Sequence, residues 1–261
     1  MRIRNIFLAL AICAFAFACN DDKKANSESE TKKDTMATTT TEKHNVLSDA
    51  EKNEGWVLLF DGSSKKGWHI YNNNSNGAAW DAVDGTLHLD PKERKDDKTV
   101  GGGDIVTEDE FENFDLKLEW KLDSAGNSGI IFLINEDPKF EHSWHTGPEI
   151  QVLDNAHHGD AAHPKHRAGD LYDLVAVSTE TVKPVGEWNQ VELKVNKGLL
   201  EEWLNGTKVL NVTIGDDNWK KMVANSKFKE WKDFATFKKG RIGLQDHGNK
   251  VWYRDIKIRK L

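Results

Sequence analysis

The segment from Phe114 to Leu122 most narrows the folds open to this chain. Phe114, Leu116, Leu118, Trp120 and Leu122 alternate with Asp115, Lys117, Glu119 and Lys121. Successive side chains of an extended strand point to opposite faces, so this period buries one face and wets the other. A strand wet on one side belongs to an antiparallel sheet, since parallel sheets are covered on both faces. Further strands are predicted at 56–60, 86–89, 128–134, 149–153, 171–177, 188–195, 199–204, 208–214, 241–244 and 251–258. The pairs Asp61-Gly62, Asp84-Gly85, Asn205-Gly206 and Gly248-Asn249 supply turns between them. Trp219, Met222, Val223 and Ser226 recur at helical spacing and predict one short inserted helix within 217–234. The sum is an all-β fold, a jelly-roll sandwich of two antiparallel sheets.

The N-terminus carries a different signal. Arg2 and Arg4 precede an uncharged apolar run from Ile6 to Ala18, too short for a permanent span and suited to export. Ala16, Phe17 and Ala18 then stand before Cys19, as a lipoprotein signal peptidase requires, although Phe17 departs from the small or hydroxyl residue usual there. Residues 1–18 are therefore expected to be a signal peptide, with Cys19 lipidated and the protein anchored in the periplasm or at the outer membrane and cell surface. The alternative is plain secretion with cleavage near Ala18. Residues 19–47 are polar and almost devoid of aliphatic side chains, the composition of a tether. Residues 48–261 then form the folded domain. Cys13 and Cys19 are the only cysteines, so this domain must hold together through its core, without disulfides. The net charge of −7 offers no basic stripe, which argues against nucleic acid as a partner. Ten tryptophans exceed what turns and tethers need; most are expected in the core, and any at a groove would stack on sugar rings.

The segment Gly147, Pro148, Glu149, Ile150, Gln151, Val152, Leu153, Asp154 is the most informative for chemistry. On a strand Glu149 and Gln151 share a face and Ile150 and Val152 the other. Asp154 falls on the apolar face unless a bulge at 152–153 rotates it back. With that bulge Glu149, Gln151 and Asp154 would line one concave sheet. Their spacing resembles the bulged Glu-x-Asp-x-x-Glu strand of laminarinase-type glycoside hydrolases, which share a concanavalin A-like jelly roll. Gln151 and the shorter Asp154 depart from that pattern and argue against ordinary retaining hydrolysis, whose carboxyl groups must stand ~5–5.5 Å apart.

A resemblance spanning about 54–261 is more specific. It runs through Leu59 to Gly62 with Gly67 and Trp68, Trp80 with Asp84 to Leu87, Phe111 to Phe114 leading into Glu119 to Lys121, and Gly126 to Ile130. It continues through Glu149 to Gln151 with Asp154, Gly169 to Asp173, Gly186 to Asn189, Leu204 to Gly206, Gly243 to Gly248 and Val251 to Ile256. In this order the pieces resemble the 3-keto-disaccharide hydrolase family. Leu133 and Ile134 stand where that family usually has Arg. The resemblance implies cleavage of glycosides already oxidised at C3. The ketone acidifies the C2 proton, a base removes it, the C1 substituent leaves and water adds back. Such chemistry needs a base, a donor at the C3 oxygen and an acid at the leaving oxygen. Glu149 is the expected base, and Asp154 or a loop histidine such as His145 the acid. Gln151, His247 and Arg254 are the expected substrate contacts, with Tyr172 and Gln245 near the groove. The loop 155–169, which holds His157, His158, His163 and His166, is expected to lie over the groove and select substrate. Its histidines match no standard zinc spacing, yet they leave room for a divalent cation: a structural calcium in a carboxylate-rich loop, or a Lewis acid on the keto oxygen. The competing functions are a non-catalytic carbohydrate-binding module and a conventional retaining glycosidase.

Overall fold

The alternating segment forms the strand Phe114–Leu122, the centre of an antiparallel sheet of eight strands. Val251–Lys260 pairs on one side of it and Asn189–Asn196 on the other. Leu199–Leu204 and Thr207–Thr213 extend one edge, Thr86–Leu89 and Trp80–Val83 the other, and Val57–Leu58 pairs along Val251–Lys260. A second antiparallel sheet runs in the order Glu149–Leu153, Asn127–Ile134, Arg241–Leu244, Ile105–Thr107, Trp68–Ile70. These are the two layers of the jelly roll. They come from a computed structural model that describes residues 43–261. The expected signal peptide, Cys19 and nearly all of the expected tether lie outside the described residues.

Leu116, Leu118 and Trp120 on one layer meet Ile130, Phe132, Ile150, Val152 and Leu244 on the other in a single buried cluster. Tyr253 is the polar stitch across it. Its hydroxyl lies 2.8 Å from Ser128 Oγ, and Ser128 Oγ donates to the carbonyl of Gln245 at 2.6 Å. A buried hydroxyl with a partner on each side avoids the desolvation cost of an orphaned one. This chain of bonds fixes the end of the Arg241–Leu244 strand, where the functional site begins.

Three expectations need correction. Residues 171–177 are no strand: Leu171 makes single bridges to Ile150 and Val175, and Leu174 turns back onto it. The helical stretch in 217–234 breaks into the helix Asp217–Ala224 and a 3-10 turn, Lys227–Glu230. Asp216 caps the first and Ser226 the second, each by accepting a backbone N–H. The bulge lies not in the Glu149 strand, which pairs in unbroken register with Asn127–Ile134. It is on the next strand, where the register to Arg241–Leu244 shifts and Leu133 adopts a φ of 55°. Strands at Trp68–Ile70, Trp80–Val83 and Ile105–Thr107 were not predicted; at three or four residues they are too short to show a period. A short helix, Asp49–Asn53, starts at a capping box between Ser48 and Glu51. Before it, His44 Nδ1 lies 2.6 Å from Asp255 Oδ2, and Asn45 Nδ2 donates to the Gly85 carbonyl at 2.8 Å, so the polar run ends against the body of the domain.

Candidate active site

Ile150 and Val152 fill the core, so Glu149 and Gln151 project from the opposite, open face of the smaller sheet. The neighbouring strand places Gly129 directly opposite Gln151. A Cβ at Gly129 would stand 2.0 Å from Glu149 Oε1, so the bare glycine is what gives this carboxyl its room. Glu149 is only 8% exposed. Burial pushes its pKa up to about 8; the Lys227 ammonium opposes that shift, while the carboxylates of Asp104 and Asp160 reinforce it. Gln245 Nε2 donates to Glu149 Oε2 at 3.4 Å. Gln245 is itself held by its N–H to the Gly129 carbonyl at 2.9 Å and by the Ser128 hydroxyl on its carbonyl.

Beside Gln245 opens a cleft of about 600 Å³, lined by Asp104, His142, Trp144, Asp246 and His247. Asp104 accepts from the Asp246 N–H at 2.9 Å and from the Ser143 hydroxyl, and burial lifts its pKa to about 6. The aromatic wall is His142 stacked on Trp144 at 4.4 Å between ring centroids, and Trp231 backs Trp144 from outside the cleft at 5.0 Å. On the other flank the Tyr172 N–H donates to the Glu149 carbonyl at 2.9 Å, and the Tyr172 hydroxyl donates to Asp160 Oδ2 at 3.3 Å. His166 stacks on Tyr172 at 4.2 Å, with Nδ1 2.9 Å from Asp160 Oδ1 and Nε2 3.2 Å from Asp173 Oδ1.

The fold thus gathers Glu149, Gln245 and Tyr172 and sets Gln151, itself buried, beside them, with the 168–172 segment running along the free edge of its strand: Gly169 N–H donates to the Gln151 carbonyl and Gln151 N–H to the Asp170 carbonyl. His247 sits exposed at the cleft rim, edge-on to His158. His145 packs against Trp144 and Trp231, so its contacts are aromatic. Asp154 goes elsewhere. Without a bulge to turn it, it accepts the N–H groups of Ala125 and Ala156 at 2.8 and 3.0 Å and faces His157 Nδ1 at 2.8 Å, with His157 largely exposed. Those bonds hold its carboxyl below the ordinary range despite its burial, the role of a loop cap. Arg254 lies on the outer face of the larger sheet, the far side of the sandwich. There it binds Glu119 through Nε and Nη2, each at 2.7 Å, and stacks on Trp188 at 4.0 Å. The alternation that buries Tyr253 turns Arg254 outward.

Sequence reasoning missed Lys227, Asp104 and Asp160. Asp104 follows a three-glycine run, Gly101 to Gly103, where the backbone can pass close to Asp246; that was the available signal. Lys227 and Asp160 sit in loops with no periodicity to read. Among the described residues, one set of three could offer ligand atoms within 4.8 Å of one another: His44, Glu119 and Asp255. It lies by Arg254, remote from Glu149, and its carboxylates already accept from Arg254, Gln190 and Asn45. That hydrogen-bonding does not call for a cation.

The fold and this face define a jelly-roll sandwich whose smaller sheet carries the buried Glu149 carboxyl beside a cleft walled by His142 and Trp144. The chain belongs to the 3-keto-alpha-glucoside-1,2-lyase-like family, whose model matches residues 55–259. A 3-keto-disaccharide hydrolase of Bacteroides thetaiotaomicron is 30% identical over 99% of this chain and 100% of its own. Two crystal structures from Parabacteroides distasonis, both provisionally named glycosyl hydrolases, are also similar. One is 31% identical, covers 84% of this chain and 100% of its own, and has a TM-score of 0.76. The other is 29% identical, covers 79% and 99%, and has a TM-score of 0.62.

Proposed function

We propose that this protein cleaves glycosides, and that its substrates are 3-keto-glycosides opened by elimination and hydration. The observation that carries this reading is Glu149: a buried acid whose pKa is raised to about 8, above the about 6 of Asp104 in the neighbouring cleft. A general base works best when its pKa lies near the working pH, and the C2 proton beside a ketone is acidic enough for such a base. The retaining alternative asks for a paired carboxyl on the same face. At the two positions that match a retaining strand stand an amide, Gln151, and Asp154, committed to the 125–157 loop.

Ionised Glu149 takes the C2 proton. The C–H pair becomes the C2–C3 enolate, which collapses to break the C1–O bond, and the leaving oxygen picks up a proton. Water then adds across the C1–C2 double bond, oxygen to C1 and proton to C2, so the net change is hydrolysis. Gln245, held rigidly through Ser128 and Tyr253, orients the carboxyl. The Trp144 wall supports the sugar's apolar face. Oxidation to the 3-keto sugar belongs to a separate redox enzyme. The signal and Cys19 support export and lipid anchoring, which would put the site where extracellular glycans arrive.

The test is product release from a 3-keto-disaccharide and from its unoxidised parent, with wild type, Glu149→Gln and EDTA-treated protein. Release from the keto sugar alone, lost in the variant, supports the proposal. Folded protein that binds sugar and releases nothing from either would make it a binding module.

A further inference from the structure

Lys227 opens the 3-10 turn Lys227–Glu230, on a loop segment far in sequence from the Glu149 strand. Two loops are pinned together to bring it there. Its backbone N–H donates to Asp173 Oδ2 at 2.6 Å, while Asp173 Oδ1 faces His166, and His166 and Tyr172 both hold Asp160. Asp173 itself sits at a φ of 58°, a left-handed conformation in which it can reach both loops.

From this anchor the ammonium lies 4.1 Å above the centroid of Tyr172, with Trp144 and Phe228 farther off at 5.8 and 5.2 Å. Among the described residues it makes no ion pair; ring faces hold it, and it acts on Glu149 through space. An exposed lysine normally points to bulk water. Here it stands over Tyr172, whose N–H donates to the Glu149 carbonyl, and faces Trp144 of the cleft wall.

We infer that Lys227 is the catalytic electrophile: its ammonium binds the C3 oxygen of the substrate and carries the enolate charge as Glu149 takes the C2 proton. The inference rests on the elimination reading given above. A cation set by a rigid network where negative charge develops lowers the barrier without reorganising during the step. Proton and charge then divide between two residues: Glu149 accepts the proton from C2, and Lys227 faces the oxyanion formed at C3. The bland alternative is a clamp, in which Lys227 only ties the 226–231 segment down over Tyr172.

The experiment uses a substrate that can enolise but cannot eliminate, the 3-keto derivative of 1,5-anhydroglucitol, in deuterium oxide. Proton NMR follows loss of the C2 signal for wild type, Lys227→Met, Lys227→Gln and Lys227→Arg, each checked for an unchanged melting temperature. The expected result is C2 exchange by wild type, a loss of about 10²–10³-fold in the Met and Gln variants, and partial recovery in Arg. Binding of the keto sugar should change far less than the rate, and the pH profile of residual exchange should move to higher pH, because Lys227 no longer draws down Glu149. Near-normal exchange in folded Met or Gln variants, or a loss confined to binding, overturns the role of Lys227. Absence of exchange in wild type overturns the elimination reading itself and leaves the clamp.

Discussion

Glu149→Gln should make the protein more stable, and by an amount that depends on pH. A glutamic acid titrates at 4.5 when unperturbed and at about 8 in the folded protein. Below pH 4.5 folded and unfolded chains both hold the proton, and the residue contributes no penalty. Between 4.5 and 8 the unfolded chain releases it and the folded one keeps it, so stability falls as pH rises. Each unit costs about 1.4 kcal/mol. The accumulated penalty is about 3 kcal/mol at pH 7 and levels off near 5 kcal/mol above pH 8. Glutamine has the same shape and never ionises, and its oxygen can accept the Gln245 amide as Glu149 does now. The variant should therefore match wild type near pH 4.5 and gain on it steadily. For a domain of this size 1 kcal/mol moves the melting temperature by about 2–4 °C, so the gap at pH 7 should be roughly 6–12 °C. Calorimetry at pH 4.5, 6, 7 and 8 reads it directly, and titrating groups remote from Glu149 cancel in the difference. A gap that stays flat with pH, or a variant that melts below wild type at pH 8, would refute the claim that this carboxyl is buried as a neutral acid.

The same carboxyl must lose its proton to act as base, so kcat/KM on a keto glycoside should rise about tenfold per unit up to pH 8 and then flatten; a profile that falls over pH 6–8 would contradict this. Gly129→Ala should cut activity by at least an order of magnitude, because the new methyl lands on Glu149 Oε1; steady-state kinetics on folded protein decide it. Tyr253→Phe should cost about 1–2 kcal/mol in urea unfolding, since Ser128 loses a buried partner. Arg254→Met should leave kcat/KM within about twofold while weakening the Glu119 contact on the far face, and a large kinetic loss would return Arg254 to the site.

How much of this could be read along the chain depends on range. Phe114–Leu122 declares itself because strand side chains alternate strictly, and water on one face selects charge at every second position. The same local rule sends Glu149 away from the core that takes Ile150 and Val152. It also turns Arg254 outward once Tyr253 is known to be buried. Whether Asp154 joins Glu149 turned on one bulge, and the register placed that bulge on the neighbouring strand at Leu133, a choice made by pairing between strands. The neighbourhood of Glu149 was still less legible. Lys227, Asp160 and Tyr172 come from two loops joined through Asp173 and His166, and Asp104 from a third beyond a glycine run. Local periodicity records which way a side chain points from its own backbone. Which charges meet inside a site depends on how distant loops cross, and only the packed tertiary structure, with its burial and its low local dielectric, turns an ordinary glutamate into an acid of pKa about 8.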